Sequence, residues 1–136
     1  MYFDTSALIK LVVVEAGAEI ASALWAAPLR AASSILAYPE GCAAIAAARG
    51  AGRLSTPGHA RARAEFESLH AELVIIGIDD QLARRAGALA EQFALRGYDA
   101  VHLASALALS TDTTVVSWDQ DLRAAAAASG CPIAPA

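Results

Sequence analysis

The sequence has few of the residue types that mark cysteine-based metal sites, membrane proteins or basic nucleic-acid-binding proteins. Among 136 residues there are only two cysteines, and Cys42 and Cys131 fall in no metal-ligand spacing. No apolar run reaches the ~18 residues of a membrane span, because alanine inflates both the 57% hydrophobic content and the mean hydropathy of +0.44. No basic region precedes the first apolar residues, as a signal peptide would require. We therefore expect a soluble protein of the reducing cytoplasm with no membrane association.

Positive charge is also scarce. Fourteen acidic residues outnumber ten basic ones, which gives a net charge of −4, and Lys10 is the only lysine. A chain of this charge has no overall attraction for nucleic acid, so a polyanion would bind only through a local basic patch or a metal ion. The length fits one domain, residues 1–136, which can bury about two thirds of the surface that the unfolded chain exposes.

The N-terminus contains the pattern on which the functional prediction depends. Tyr2 and Phe3 favour a strand, and the apolar run from Ala7 to Leu11 favours a helix. Asp4 lies between the two patterns. In open α/β sheets ligands bind beyond the carboxyl ends of the parallel strands, so Asp4 is a candidate functional side chain.

Short apolar strands alternate with helical patterns along the rest of the chain. This alternation predicts a three-layer α/β/α sandwich with a central parallel sheet. Further strands are predicted at 31–36, 73–78 and 113–117, with at most a short edge strand in the tail 132–136. Helices are predicted at 16–26, 37–49, 57–71 with Thr56 as the cap, 79–96 with Gly97 as the C-cap, 99–109 and 122–128.

Four acids share one kind of location in this sandwich. Asp4 and Asp119 follow strands directly, while Glu40 and Asp99 open helices that lead away from the same sheet edge. We expect all four to point into one crevice, where each raises the pKa of the others unless a cation neutralises them. Hard oxygen ligands suit Mg²⁺ or Mn²⁺, so the pattern predicts a divalent metal site.

The helix that opens on Asp99 is apolar on nearly all sides and is therefore expected in the core. A carboxylate in its first turn is then partly buried and needs a compensating cation or hydrogen-bond donors. His102 lies three residues on and shares a face with Asp99. A lone histidine on an apolar helix is more typical of a hydrogen-bonded core residue than of a metal ligand.

The stretches DTSAL, Glu40 at a helix start, YDAVHLASA and VVSWDQDL, in this order, resemble the PIN-domain ribonucleases and particularly the VapC toxins. The resemblance implies a metal-dependent endoribonuclease that hydrolyses RNA phosphodiester bonds with metal-activated water. It also implies a cognate antitoxin and a homodimer. The positions that match the family's catalytic and metal-binding acids are Asp4, Glu40, Asp99 and Asp119, with Ser6 and Ser117 as supporting hydroxyls and Ser34 where the family often has Ser or Thr.

Two features depart from or add to the family pattern. Pro39 stands before Glu40, where an aliphatic residue is more usual, and it could shift the start of the helix by a residue. Asp121 is either a further metal ligand or an acid favoured by the first turn of a helix.

Other functions account for part of the pattern. A haloacid-dehalogenase-like phosphatase needs a second acid where this chain has Ser6, and a receiver-like domain needs a lysine late in the sheet. A non-enzymatic α/β interaction module would use the acids only as helix caps, which leaves the acid after the first strand unexplained. A PIN-domain nuclease of RNA processing or decay, outside a toxin pair, remains the main alternative.

Overall fold

A computed structural model describes all 136 residues and contains a five-stranded sheet in which every neighbouring pair is parallel. The spatial order is β3-β2-β1-β4-β5. The first strand is therefore central, and the residue after it lies at the middle of the sheet edge. The strands are β1 Tyr2–Phe3, β2 Ala32–Ser34, β3 Val74–Ile76, β4 Val115–Val116 and β5 Ile133–Ala134.

Seven helices cover the two faces of the sheet. They are α1 Thr5–Ile9, α2 Ala18–Trp25, α3 Ala37–Gly50, α4 Thr56–Glu72, α5 Asp80–Phe93, α6 Gly97–Leu109 and α7 Gln120–Ala128. Successive strand residues point to opposite faces. Tyr2 accordingly packs into a core cluster with side chains of α5, α6 and α7, and Phe3 into a second cluster with α1, α3 and α4. The predicted α/β/α sandwich is confirmed, and none of its helices is long and apolar enough to span a bilayer.

The boundaries differ from the sequence-based ones where tertiary contacts intervene. Helix α5 ends at Phe93, not Arg96, because Ala94 adopts a left-handed conformation (φ 53°) and buried Leu95 follows it into the core. Gly97, predicted as the C-cap of that helix, instead begins α6. Ser55, rather than Thr56, caps α4 by accepting a hydrogen bond from the Gly58 N–H at 3.0 Å.

Gly41 allows α3 and α4 to pack closely. A Cβ atom added at Gly41 would lie 2.1 Å from Cζ of Phe66, whose ring is fully buried. We expect Gly41→Ala to lower the free energy of unfolding by about 1–3 kcal/mol through overpacking, which corresponds to a decrease in Tm of roughly 3–10 °C. Thermal denaturation followed by circular dichroism measures this decrease.

The matched control is Gly87→Ala in α5, where an added Cβ meets no atom within 4 Å. Alanine is the better helix former, so this variant is expected to melt at or above the wild-type temperature. Equal Tm values for the two variants would contradict the account of the α3–α4 contact.

Candidate active site

Asp4 lies at the carboxyl end of the central strand and is only 4% exposed. Its Oδ2 accepts a hydrogen bond from Ser117 Oγ at 2.5 Å. Ser6 Oγ lies 2.7 and 2.9 Å from its two carboxylate oxygens, and the Ala7 N–H donates to Oδ1 at 2.9 Å. Because β1 and β4 are neighbours in the sheet, residues from opposite ends of the chain meet on one carboxylate.

The backbone that follows β4 orients both hydroxyls. Ser6 Oγ accepts from the Trp118 N–H at 2.9 Å, and Ser117 Oγ accepts from the Asp119 N–H at 3.0 Å. Each hydroxyl proton is therefore directed at Asp4. Burial raises the pKa of Asp4, although the Ser117 hydrogen bond and the nearby His102 act in the opposite direction. The ionised carboxylate is thus incompletely compensated by the protein.

The contact with Ala7 makes Asp4 the N-cap of α1. Capping therefore explains an acid after the first strand, contrary to the expectation from the sequence, because α1 begins at Thr5, directly after Asp4. Capping requires only one backbone N–H donor. Asp4 is buried and accepts two side-chain hydroxyls as well, so capping alone does not account for its surroundings.

Asp99 and Asp119 both form ion pairs with the guanidinium of Arg96. Arg96 Nε donates to Asp99 Oδ2 at 2.7 Å, and its terminal nitrogen donates to Asp119 Oδ2 at 2.9 Å. The other oxygen of Asp119 caps α7 through the Leu122 N–H at 3.0 Å. The cation that the sequence required beside Asp99 is thus supplied from three residues upstream.

Glu40 is held by a buried chain of hydrogen bonds. Its Oε1 accepts from Thr5 Oγ1 at 2.8 Å and lies 2.7 Å from His102 Nε2. The Tyr2 hydroxyl lies 2.7 Å from His102 Nδ1 and accepts from the Ser34 N–H at 3.2 Å. A carboxylate oxygen can only accept, so Nε2 carries the proton that His102 donates to Glu40.

The hydrogen bonds from Thr5 and His102 therefore fix the orientation of the Glu40 carboxylate. Half-burial acts to raise its pKa, but the hydrogen bond and charge of His102, with the Thr5 hydroxyl, outweigh this effect and lower the pKa. Pro39 does not displace the helix, since α3 begins at Ala37 as predicted and Glu40 lies in its first turn. His102 is a hydrogen-bonded core residue, as its position on α6 suggested.

The remaining candidates lie at the margin of this constellation. Ser34 is fully buried, and its Oγ accepts from the Leu36 N–H at 3.2 Å rather than facing the acids. Asp121 is exposed in the first turn of α7 and makes no hydrogen bond, although its charge acts on Arg96.

The donor set suits a divalent ion in its chemistry. Asp4, Asp99, Asp119 and Glu40 offer only carboxylate oxygens, and the buried Asp4 lacks a full counter-charge. Hydrogen bonds through Ser117 and Arg96 connect the three aspartates into one network. No three His, Cys, Asp or Glu side chains stand close enough to hold an ion in this conformation. The convergence of all four acids on a metal therefore stays a prediction.

Comparison with known proteins identifies the family. The PIN-domain model matches residues 1–128, which is nearly the whole chain. The chain belongs to the PIN-domain family. Ribonuclease VapC45 of Mycobacterium tuberculosis is 45% identical over 137 residues, covering 100% of this chain and 95% of that protein. The predicted similarity to VapC ribonucleases is thus confirmed.

Solved structures of other proteins have the same fold. M. tuberculosis VapC20, described as a sarcin–ricin loop cleaving toxin, superposes with a TM-score of 0.72 at 19% identity, covering 91% of this chain and 93% of that one. A toxin–antitoxin complex from Klebsiella pneumoniae gives a TM-score of 0.61 at 26% identity, with 88% of each chain covered. These matches agree with the parallel sheet found here.

Sequence reasoning missed three residues of this PIN-domain site. The sequence pattern places Arg96 at the end of a helix, although its spacing of three from Asp99 is typical of an intrahelical ion pair. Thr5 gives no signal of its own beside Asp4. The pattern around Tyr2 indicates only a strand, because the hydrogen bond of Tyr2 to His102 joins residues 100 positions apart.

Proposed function

We propose that this PIN-domain protein is a metal-dependent endoribonuclease that acts as the toxin of a toxin–antitoxin pair. The observation that supports this proposal is the position of Asp4. Its carboxylate is buried at the carboxyl end of the central strand, and its negative charge is only partly balanced by hydrogen-bond donors and nearby charge. It is linked through Ser117 to the Asp119–Arg96–Asp99 network. Identity to a protein named a ribonuclease, over essentially the full length of both chains, supports an RNA-hydrolysing enzyme.

The proposed cofactor is Mg²⁺ or Mn²⁺, held by Asp4, Asp99 and Asp119, with Glu40 as a further ligand. When bound, a divalent ion would neutralise charge on the scissile phosphate and lower the pKa of a coordinated water. The chain's own residues prepare the site. Ser6 and Ser117 fix the rotamer of Asp4, and His102 and Thr5 keep Glu40 ionised and oriented. Hydrolysis would leave 5′-phosphate and 3′-hydroxyl ends.

The proposed macromolecular partners are RNA and a cognate antitoxin. The Klebsiella structure is a toxin–antitoxin complex, which supports the same type of partnership for this chain. An acidic crevice favours an inhibitor segment that carries arginine, for the same electrostatic reason that it favours a metal ion. An enzyme acting on RNA would work in the cytoplasm, the compartment that the sequence predicts.

A homodimer of this single domain, residues 1–136, is part of the proposal. Seven large apolar side chains remain exposed, and a dimer interface would remove part of this apolar surface from water. Light scattering tests the dimer, which should have twice the 13.9 kDa mass of the chain. The exposed side chains are Val14, Ile20, Leu29, Ile35, Ile78, Tyr98 and Leu109.

Expression in bacteria separates the toxin from a processing nuclease. We expect induced expression to halt growth, because unrestrained RNA cleavage removes RNA that cells need. Co-expression of a small DNA-binding protein from the neighbouring reading frame should restore growth. Growth is measured as colony counts after induction, with the wild-type protein shown to be folded and soluble.

The control is expression of the Asp79→Asn variant, in which a helix-capping carboxylate remote from the network becomes a neutral amide. This variant should be as toxic as the wild type. Harmless accumulation of folded wild-type protein would instead favour a PIN-domain nuclease of RNA processing or decay. A non-enzymatic interaction module predicts no RNA cleavage in any condition.

A further inference from the structure

Arg96 combines two properties that a purely structural ion pair does not need. Its side chain is 69% exposed, while the Asp99 and Asp119 side chains that it binds are only 11% and 26% exposed. It also joins acids from two separate helices, α6 and α7, rather than one acid on its own helix. We propose that Arg96 is a built-in counter-ion that holds Asp99 and Asp119 together without metal and leaves them when a divalent ion binds. This inference rests on the proposed function.

The hydrogen-bond geometry gives Arg96 the position that a cation would take. Its Nε and terminal nitrogen reach the Oδ2 atoms of the two aspartates, at 2.7 and 2.9 Å. Asp119 Oδ1 is already engaged by the Leu122 N–H, so an ion held by Asp119 would draw on the Oδ2 atom that Arg96 binds. The guanidinium and the ion therefore compete for the same lone pairs, and both cannot bind in full.

The surroundings make departure of the guanidinium easy. The guanidinium is the exposed partner of both ion pairs, so water can solvate it once it leaves the two carboxylates. Arg96 is the extended N-cap residue of α6, and its side chain caps no backbone group. Buried Leu95 anchors the adjoining backbone, so the side chain can rotate into solvent without moving either helix. The displaced guanidinium would then remain beside the two aspartates, where it could contact an RNA phosphate.

Direct measurement of metal affinity tests this competition. Mn²⁺ is titrated into metal-free, full-length wild type, Arg96→Gln and Arg96→Lys, and the free ion is quantified by electron paramagnetic resonance. Because Arg96→Gln removes two competing ion pairs, it should bind Mn²⁺ roughly three- to tenfold more tightly than the wild type. Arg96→Lys keeps the charge but cannot bind both acids with a planar fork, so its affinity should fall between the two.

Arg84→Gln is the matched control. Arg84 pairs with Asp80 on α5 at 2.7 Å, and both side chains are about 80% exposed. This variant removes an exposed arginine–aspartate pair and changes the net charge equally, but it does not touch Asp99 or Asp119. Its Mn²⁺ affinity should equal that of the wild type, which excludes a general charge effect. Circular dichroism verifies the fold of every variant, and Arg96→Lys carries the test if Arg96→Gln is unstable.

Two negative results have different meanings. The counter-ion role is overturned if the Arg96 variants bind Mn²⁺ no more tightly than the wild type while Asp99→Asn abolishes binding in each background. The proposed metal-dependent function would survive that result. If Mn²⁺ binds no variant, or binds equally well with Asp99→Asn, the metal site itself is wrong and this inference fails with it.

Discussion

Replacing Asp4 by asparagine is expected to reduce the rate of RNA cleavage by at least about a hundredfold. Asparagine has the same shape and can still accept the Ala7 hydrogen bond, so the start of α1 is preserved. What it lacks is the negative charge at the centre of the carboxylate network. Initial rates on a labelled RNA, with protein free of contaminating nucleases, measure the loss.

The same substitution is expected to stabilise the metal-free protein at neutral pH. Burial raises the pKa of Asp4 above that of an unfolded carboxyl, so the folded state binds protons more tightly. Stability should therefore fall as the pH rises from about 4 through the raised pKa, and asparagine removes this loss. An activity loss accompanied by a gain in Tm separates a functional carboxylate from one that merely supports the fold.

The control for both readouts is Asp79→Asn. Asp79 caps α5 through the Leu82 N–H at 2.8 Å, which reproduces the backbone contact of Asp4 at an exposed position. Neither cleavage nor Tm should change appreciably in this variant. Unaltered cleavage by Asp4→Asn would instead show that the carboxylate network is not the catalytic site.

Removal of divalent ions is expected to have an effect as large as loss of Asp4. The chain has a net charge of −4, and its candidate site consists of carboxylates, so a phosphodiester meets repulsion unless a cation is present. Arg96 is the cation that joins the aspartates, and both of its side-chain hydrogen bonds are made to them. EDTA should therefore suppress cleavage to background.

Restoration by Mg²⁺ or Mn²⁺ completes the metal experiment. EDTA already saturated with Mg²⁺ serves as the control, and ionic strength is kept constant so that screening of charge is not mistaken for metal binding. Cleavage that continues unchanged in excess EDTA would show a metal-independent nuclease. RNA cleavage by this chain would then have to proceed by a mechanism without a divalent ion.

The architecture could be predicted because its signals are local and repeated. Short β-branched runs separated by helical patterns define a parallel α/β fold without knowledge of any particular contact. The end of α5 could not be predicted in the same way. Gly97 is a plausible C-cap, but burial of Leu95 requires the turn to occur earlier, at Ala94. That choice depends on a core that forms only in three dimensions.

The candidate site shows the same division between local and distant information. Asp4 and Ser6 belong to one short motif, and the strand order explains how Ser117 reaches them. The link from Arg96 to Asp119 spans 23 residues and depends on how α6 and α7 pack. The four acids in the sequence predict mutual repulsion and a neutralising cation, but nothing local to them identifies that cation as Arg96.

The central claim, that one carboxylate site uses a divalent ion to cleave RNA, is tested most directly by combining the two perturbations in one assay. Cleavage rates are measured for wild type and Asp4→Asn, each with Mg²⁺ and with EDTA. If the carboxylate and the ion act at one site, their effects do not add. Chelated wild type and both Asp4→Asn samples should then share the same background rate. An Asp4→Asn protein that still responds to Mg²⁺ as fully as the wild type would contradict the account.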